Sequence, residues 1–131
     1  MSSIFVYGTL KRGGSNHRYL AGQRFVGTAR TEAAFRLYQL DGYPGMVGAP
    51  GGLSIEGEIW EVDEAARERL DELEGTAVGL YRRVPIHLLP PHHLLEVETY
   101  LCLQSTAGRR DLGTRFDEAP PISPRATGRQ P

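Results

Sequence analysis

The first apolar cluster is Ile4-Phe5-Val6-Tyr7, four β-branched or aromatic residues in a row that stop at Gly8. An unbroken run of this kind, closed by glycine, predicts a buried strand ending in a turn. Lys11 to Ser15 then reads as loop. Asn16 opens a short helical turn through Arg18, Tyr19 and Leu20, and Arg24 to Glu32 and Ala34 to Leu40 read as extended. Two clusters of turn-forming residues, Asp41-Gly42-Tyr43-Pro44-Gly45 and Gly48 to Gly52, make residues 41–52 a loop around the small apolar pair Met46-Val47. Loops so rich in turn residues often border a pocket. From Ser54 to Val62 the residues alternate, which predicts a strand with Ile55, Gly57 and Ile59 on one face and Glu56, Glu58 and Trp60 on the other.

Asp63 then caps the one well-marked helix. Ala66, Leu70 and Leu73 recur at helical spacing, acids occupy the first turn, and Gly75 stops it. Tyr81 to Leu89 and Leu94 to Leu103 are two further strands, and the short Pro90-Pro91-His92-His93 connection makes them an antiparallel pair. After Thr106 the apolar pattern fails. That stretch holds four of the nine prolines and five arginines, with Leu112, Phe116 and Ile122 its large apolar residues. The chain therefore divides into a domain, residues 1–105, and a Pro/Arg-rich C-terminal tail, residues 106–131, draped over it. Several strands, one good helix and few places for crossover helices argue against a doubly wound parallel sheet and for an α+β domain with a curled or barrel-like sheet.

Composition narrows the function classes. At about 100–200 residues per domain, 131 residues make one domain. Fifteen basic against sixteen acidic residues leave a net charge of -1, so no field draws nucleic acid or an anionic bilayer, and neither is expected as a partner. Cys102 is the only cysteine, which excludes an intrachain disulfide and a cysteine-based zinc site and suits a reducing compartment. Between Leu101 and Leu103 it reads as a packing residue. Met1-Ser2-Ser3 runs into the first strand with no basic or long apolar leader, so the expected location is cytoplasmic. His17, His87, His92 and His93 show no ligand spacing, and no metal or cofactor is expected. Lys11-Arg12-Gly13-Gly14 lacks the phosphate-loop spacing. The pattern specifies no oligomeric state.

Two features carry candidate chemistry. At about 100° per residue, Ala66, Leu70 and Leu73 centre one face of the helix, and Glu74 falls roughly 70° from that centre, above Leu70 at i+4. Asp71 and Glu72 lie more than about 120° away on the same wheel. Glu74 alone of the three borders the core, in the last turn, where the helix dipole raises a carboxyl pKa. Such a carboxylate is either a general base poised toward neutral pH or the partner of Arg82 or Arg83. The second feature is Tyr7-Gly8-Thr9-Leu10, where a strand ends at a glycine and the backbone can approach a ligand; its free N–H groups either bind a carboxylate or oxyanion or form an ordinary turn.

Tyr7-Gly8-Thr9-Leu10, followed by Leu70-Asp71-x-Leu73-Glu74-Gly75 and then Tyr81-Arg82-Arg83, resembles the gamma-glutamylcyclotransferase-like family over roughly residues 4–104. Val6 to Gly13, Asn16-His17-Arg18-x-Leu20 and Glu56-Gly57-Glu58 are most similar to its gamma-glutamylamine cyclotransferase branch. The resemblance implies a small mixed β-barrel with a helix packed beside it, and a lyase that forms 5-oxoproline from a small-molecule gamma-glutamyl substrate without metal or cofactor. It implies that Glu74 is the acid/base, that Tyr7, Gly8, Thr9 and Leu10 bind the glutamyl moiety, and that Tyr81 is a neighbour of the pocket. Two other readings stay open: a non-catalytic module that binds a small carboxylate, and an amide hydrolase that releases glutamate.

Overall fold

In the computed structural model, which describes residues 1–118, strand β1 (Ser2–Val6) is the middle strand of a five-stranded sheet because both of its faces are apolar. Ile4 and Val6 pack with Trp60, Val62 and Leu70, whereas Phe5 joins Leu37, Met46 and Ile59 on the opposite side. A strand covered on both faces reads in sequence as a continuous apolar run. Strand β5 (Glu56–Val62) flanks β1 antiparallel and β7 (Val97–Cys102) flanks it parallel. Outside these, β2 (Arg24–Arg30) pairs with β5 and β6 (Tyr81–Ile86) with β7, both antiparallel, in the order β2-β5-β1-β7-β6. Past their ends the two outer strands meet: Thr31 bridges Leu88, and the Leu89 N–H donates to Arg30 O at 2.8 Å. The sheet thus curls round until its edges touch, without a continuous closing ladder. The described residues form a mixed α+β fold with a curled sheet and one α-helix.

Helix α1 (Glu64–Leu73) begins and ends where its residue types dictate. The Asp63 carboxylate accepts from the Ala66 N–H at 2.8 Å, satisfying one of the free donors of the first turn. Gly75, at φ +66°, takes the left-handed conformation that closes the last. Ala66 and Leu70 are fully buried against the sheet.

The expectation of loop throughout residues 41–52 needs correction. Strands β3 (Phe35–Gln39) and β4 (Pro44–Gly48) form a separate antiparallel pair, with Met46 opposite Leu37 and both fully buried. Gly45 is glycine for contact, not for a turn: a Cβ there would stand 2.8 Å from Cys102 Sγ and 2.9 Å from Leu40 Cδ1. The described part of the expected tail runs along the domain. The Leu112 N–H donates to Leu37 O at 2.7 Å, the Glu56 N–H donates to Thr114 O at 2.8 Å, and Phe116 sits in the core at 4% exposure. Residues 119–131, the rest of that tail, lie outside the described residues. Among the described residues no helix is long and apolar enough to cross a membrane.

Candidate active site

A cavity of about 300 Å³ opens beside the end of β1. Its floor is set by Tyr7, whose hydroxyl donates to Tyr100 O at 2.7 Å and accepts from the Met46 N–H at 3.2 Å, tying β1 to β7 and β4. Gly8 follows, and the space that its missing Cβ leaves is taken by Pro44, whose Cγ would be 2.7 Å away. The chain then folds back on itself. Thr9 O accepts the Asn16 N–H at 2.9 Å, Thr9 Oγ1 accepts from Asn16 Nδ2 at 3.0 Å, and Gly14 packs directly on the Thr9 carbonyl. The consequence is a short stretch of backbone with its carbonyls engaged and its donors free. Among the described residues the N–H groups of Gly8, Thr9 and Leu10 have no hydrogen-bond partner, and all three residues line the cavity. Successive free N–H groups of this kind form a concavity suited to an anion. The Leu10 side chain itself is buried in the core, where it holds the loop down.

Glu74 stands on the same wall, at the C-terminal cap of α1. Its N–H donates to Leu70 O at 2.9 Å, which continues the helix by one residue and turns the side chain toward the cavity. Burial pushes the carboxyl pKa up to about 7. The free carbonyls at the helix C-terminus push the same way. No hydrogen bond or ion pair reaches this carboxyl among the described residues.

Of the two cations that could have neutralised it, Arg82 is exposed and makes no ion pair to it among the described residues, and Arg83 is engaged elsewhere. Arg83 Nε and Nη2 hold both oxygens of Asp71 at 2.9 and 3.1 Å, and Nη1 holds Glu98 at 2.8 Å. Asp71 also accepts from the Tyr100 hydroxyl at 2.6 Å. Burial works to raise the Asp71 pKa, but the bonds from Arg83 and Tyr100 outweigh it and hold the carboxyl below its ordinary value. Asp71, set away from the core by the helical wheel, is therefore half-buried over β6 and β7. Glu58 offers a second contrast. It is buried at 7% exposure, yet it accepts from the Arg12 N–H at 3.0 Å, Arg12 Nε at 3.1 Å and Trp60 Nε1 at 3.1 Å. Burial there is outweighed by these donors, and its pKa is lowered. Of these three carboxyls, Glu74 alone is pushed toward neutrality. A perturbed group in a cleft, with no partner among the described residues, is a candidate for a functional site.

Three tyrosines complete the wall. Burial, then the Glu74 charge, pushes the Tyr7 hydroxyl well above its ordinary value. Burial leads again for Tyr81, followed by Tyr7 and Glu74, and for Tyr100, followed by its bond to Asp71. All three remain protonated and committed as donors, Tyr81 to Pro44 O at 2.7 Å. They shape the cavity, and of the ionisable groups described on its wall Glu74 is the one whose pKa lies near neutrality.

All six residues singled out in sequence, Tyr7, Gly8, Thr9, Leu10, Glu74 and Tyr81, line this one cavity. Between Glu74 and Tyr81 the chain makes a single 3-10 turn, Thr76–Val78, bracketed by Gly75 and Gly79, both at positive φ. Asn16, Tyr43 and Tyr100 also line the cavity and were not singled out. The turn cluster around Tyr43 was a signal for that residue, and the Asn16-His17-Arg18-x-Leu20 motif was one for Asn16, whose side chain reaches only to nearby Thr9; Tyr100 carries none, since it matters through Asp71, distant in sequence.

The model of a family described as gamma-glutamyl cyclotransferase, AIG2-like, matches residues 4–118. Gamma-glutamylaminecyclotransferase of Rattus norvegicus is 38% identical over 96 residues, 67% of this chain and 64% of that protein. A Vibrio cholerae protein, provisionally named a gamma-glutamylcyclotransferase, is 45% identical over 80 residues, 61% of this chain and 67% of its own length. The crystal structure of an AIG2-like protein from Mus musculus superimposes with a TM-score of 0.78 at 29% identity, over 92% of this chain and 91% of that one. The alignments span from 46% to 73% of the lengths of these and other curated relatives.

Proposed function

We propose that this chain, which belongs to the gamma-glutamyl cyclotransferase, AIG2-like family, cyclises a gamma-glutamyl amine to 5-oxoproline and releases the free amine, with Glu74 as general acid and base. The observation that carries the reading is the pairing, on one cavity wall, of an unpartnered carboxyl near pKa 7 with the free N–H groups of Gly8, Thr9 and Leu10.

The chemistry asks for those parts. The substrate's α-amine has a pKa of about 8 and is mostly an ammonium at neutral pH, so a base must take a proton before its nitrogen can attack. Ionised Glu74 takes it. The amine then bonds to the γ-carbonyl carbon of the same molecule, an attack that escapes much of the entropic cost of a two-body step. Charge moves onto the carbonyl oxygen. Glu74 returns the proton to the leaving nitrogen, the carbonyl re-forms and the original C–N bond breaks, while the ring nitrogen sheds its second proton, which the released amine carries away as an ammonium; no water is consumed. The loop N–H groups receive the glutamyl end and keep it folded for ring closure. Tyr7 and Tyr81, held by their own hydrogen bonds, form the rigid wall behind it.

The test is product identity. The chain is incubated with gamma-glutamyl-ε-lysine and with glutathione, and products are separated by chromatography. 5-Oxoproline is expected from at least one. Free glutamate instead would favour a hydrolase, and neither product, with 5-oxoproline still bound, a non-catalytic module. Glu74→Gln should lower turnover by a factor on the order of hundreds, whereas Glu72→Gln, on the exposed side of the helix, should retain it.

A further inference from the structure

One apolar feature of the cavity wall has no part in the proton transfers. After α1 ends, the turn from Gly75 to Leu80 closes on itself: the Leu80 N–H donates back to Gly75 O at 3.1 Å, and Leu80 O accepts from the Leu103 N–H at 3.0 Å. The Leu80 side chain lies over Gly75, where an added Cβ would stand 2.8 Å from Leu80 Cδ1. A leucine is thus held in place by backbone bonds on both sides and remains 40% exposed. Core packing does not account for it. Leu80 lines the cavity together with Leu73 and Tyr43. Tyr43 is itself steadied, its hydroxyl donating to Gln104 Oε1 at 3.2 Å and its ring 6.4 Å from that of Tyr81.

Size and charge say what this rim meets. At about 300 Å³ the cavity is at the small end of ligand sites, room for the reacting half of a substrate. One carboxyl must reach both the attacking and the leaving nitrogen, so the scissile bond lies at Glu74 and the leaving substituent extends past it. Among the described residues no lysine, arginine or histidine lines the cavity, so none of them receives a carboxylate on that substituent.

We propose that Leu80 is a specificity-determining residue that, with Leu73 and Tyr43, receives the apolar part of the leaving amine, so that amides of alkyl and aryl amines are preferred. The proposal rests on the cyclotransferase reading. It is tested with gamma-glutamyl benzylamide, whose ring reaches the rim, gamma-glutamyl methylamide, whose leaving group is too short, and gamma-glutamylglycine, which places a carboxylate there. In the unmodified chain the benzylamide should exceed gamma-glutamylglycine in kcat/KM by about tenfold or more, the scale of one apolar contact in a pocket. Leu80→Ser should cut the benzylamide-to-methylamide ratio about fivefold or more, mainly through KM, and Leu80→Met should restore it. Intrinsic leaving ability is the same for both proteins, so the change in ratio isolates the contact. An unchanged ratio in Leu80→Ser, or a preference of the unmodified chain for gamma-glutamylglycine, overturns the role of Leu80 while cyclisation stands. No 5-oxoproline from any of the three amides overturns the cyclotransferase reading, and the proposal with it.

Discussion

Replacing Glu74 with glutamine removes a carboxyl whose pKa is lifted by burial from 4.5 to about 7, and its thermodynamic consequence runs opposite to that of most buried substitutions. The unfolded chain releases this proton near 4.5 and the folded chain near 7, so between those values the folded state binds more protons. Stability therefore falls as pH rises through that window. The cost is absent below it and complete above it. At about 1.4 kcal/mol for each tenfold change, the full cost is about 3 kcal/mol. Glu74 keeps part of its surface in water, so the expected gain for Glu74→Gln at about pH 8, relative to about pH 4.5, is about 1–3 kcal/mol. How well the glutamine amide fits the site is independent of pH and cancels in that difference. Urea unfolding of both proteins at the two pH values, with the slopes compared for constancy, measures it. The variant should be inactive and yet gain stability over the parent as pH rises. A stability difference that is the same at both pH values would mean that Glu74 ionises as an ordinary glutamate, and the argument for a neutral-range base would fall.

Three further outcomes follow from the same site. The pH profile of kcat/KM should show an acid limb with a pKa of about 7, because Glu74 must be ionised to accept the amine proton; a limb near 4.5 would contradict it. Gly8→Ala places a Cβ 2.7 Å from Pro44 Cγ, on the residue whose carbonyl receives Tyr81, and should cost about 1–3 kcal/mol and about tenfold or more in 5-oxoproline affinity by calorimetry. Thr9→Val retains the backbone donor and should be milder, so equal losses in the two variants would argue against main-chain recognition. Asp71→Asn removes the charge from a carboxylate that holds Arg83 and Tyr100 and should lower stability by about 1–3 kcal/mol in urea titration; no change would show that the network adds nothing to the fold.

Much of this site was legible because its parts are periodic or local. The apolar run Ile4 to Tyr7, the cap at Asp63, the stripe of Ala66, Leu70 and Leu73, and the stop at Gly75 each follow from rules that act within a few residues, and the structure has β1 and α1 where those rules put them. The position of Glu74 beside the core is a matter of helical angle alone. What stayed hidden depends on partners far away in the chain. Pattern alone could not say whether Arg83 would neutralise Glu74 or Asp71, because both carboxyls lie within reach of β6 in principle and only the docking of α1 on the sheet decides. Strand β4 was obscured by Gly45, a glycine demanded by Cys102 and Leu40 rather than by a turn. Phe116, one aromatic in a stretch without periodicity, could not announce that it fills a core built by β1, β4 and β5. Backbone direction and side-chain period are local properties, so the sequence specified the elements and the chemical identity of the candidate base. Burial, ion-pair choice and the pKa they produce are sums over contacts between distant segments, so only the folded chain determined that Glu74 stands, among the described residues, without a partner beside the unbonded N–H groups of Gly8, Thr9 and Leu10.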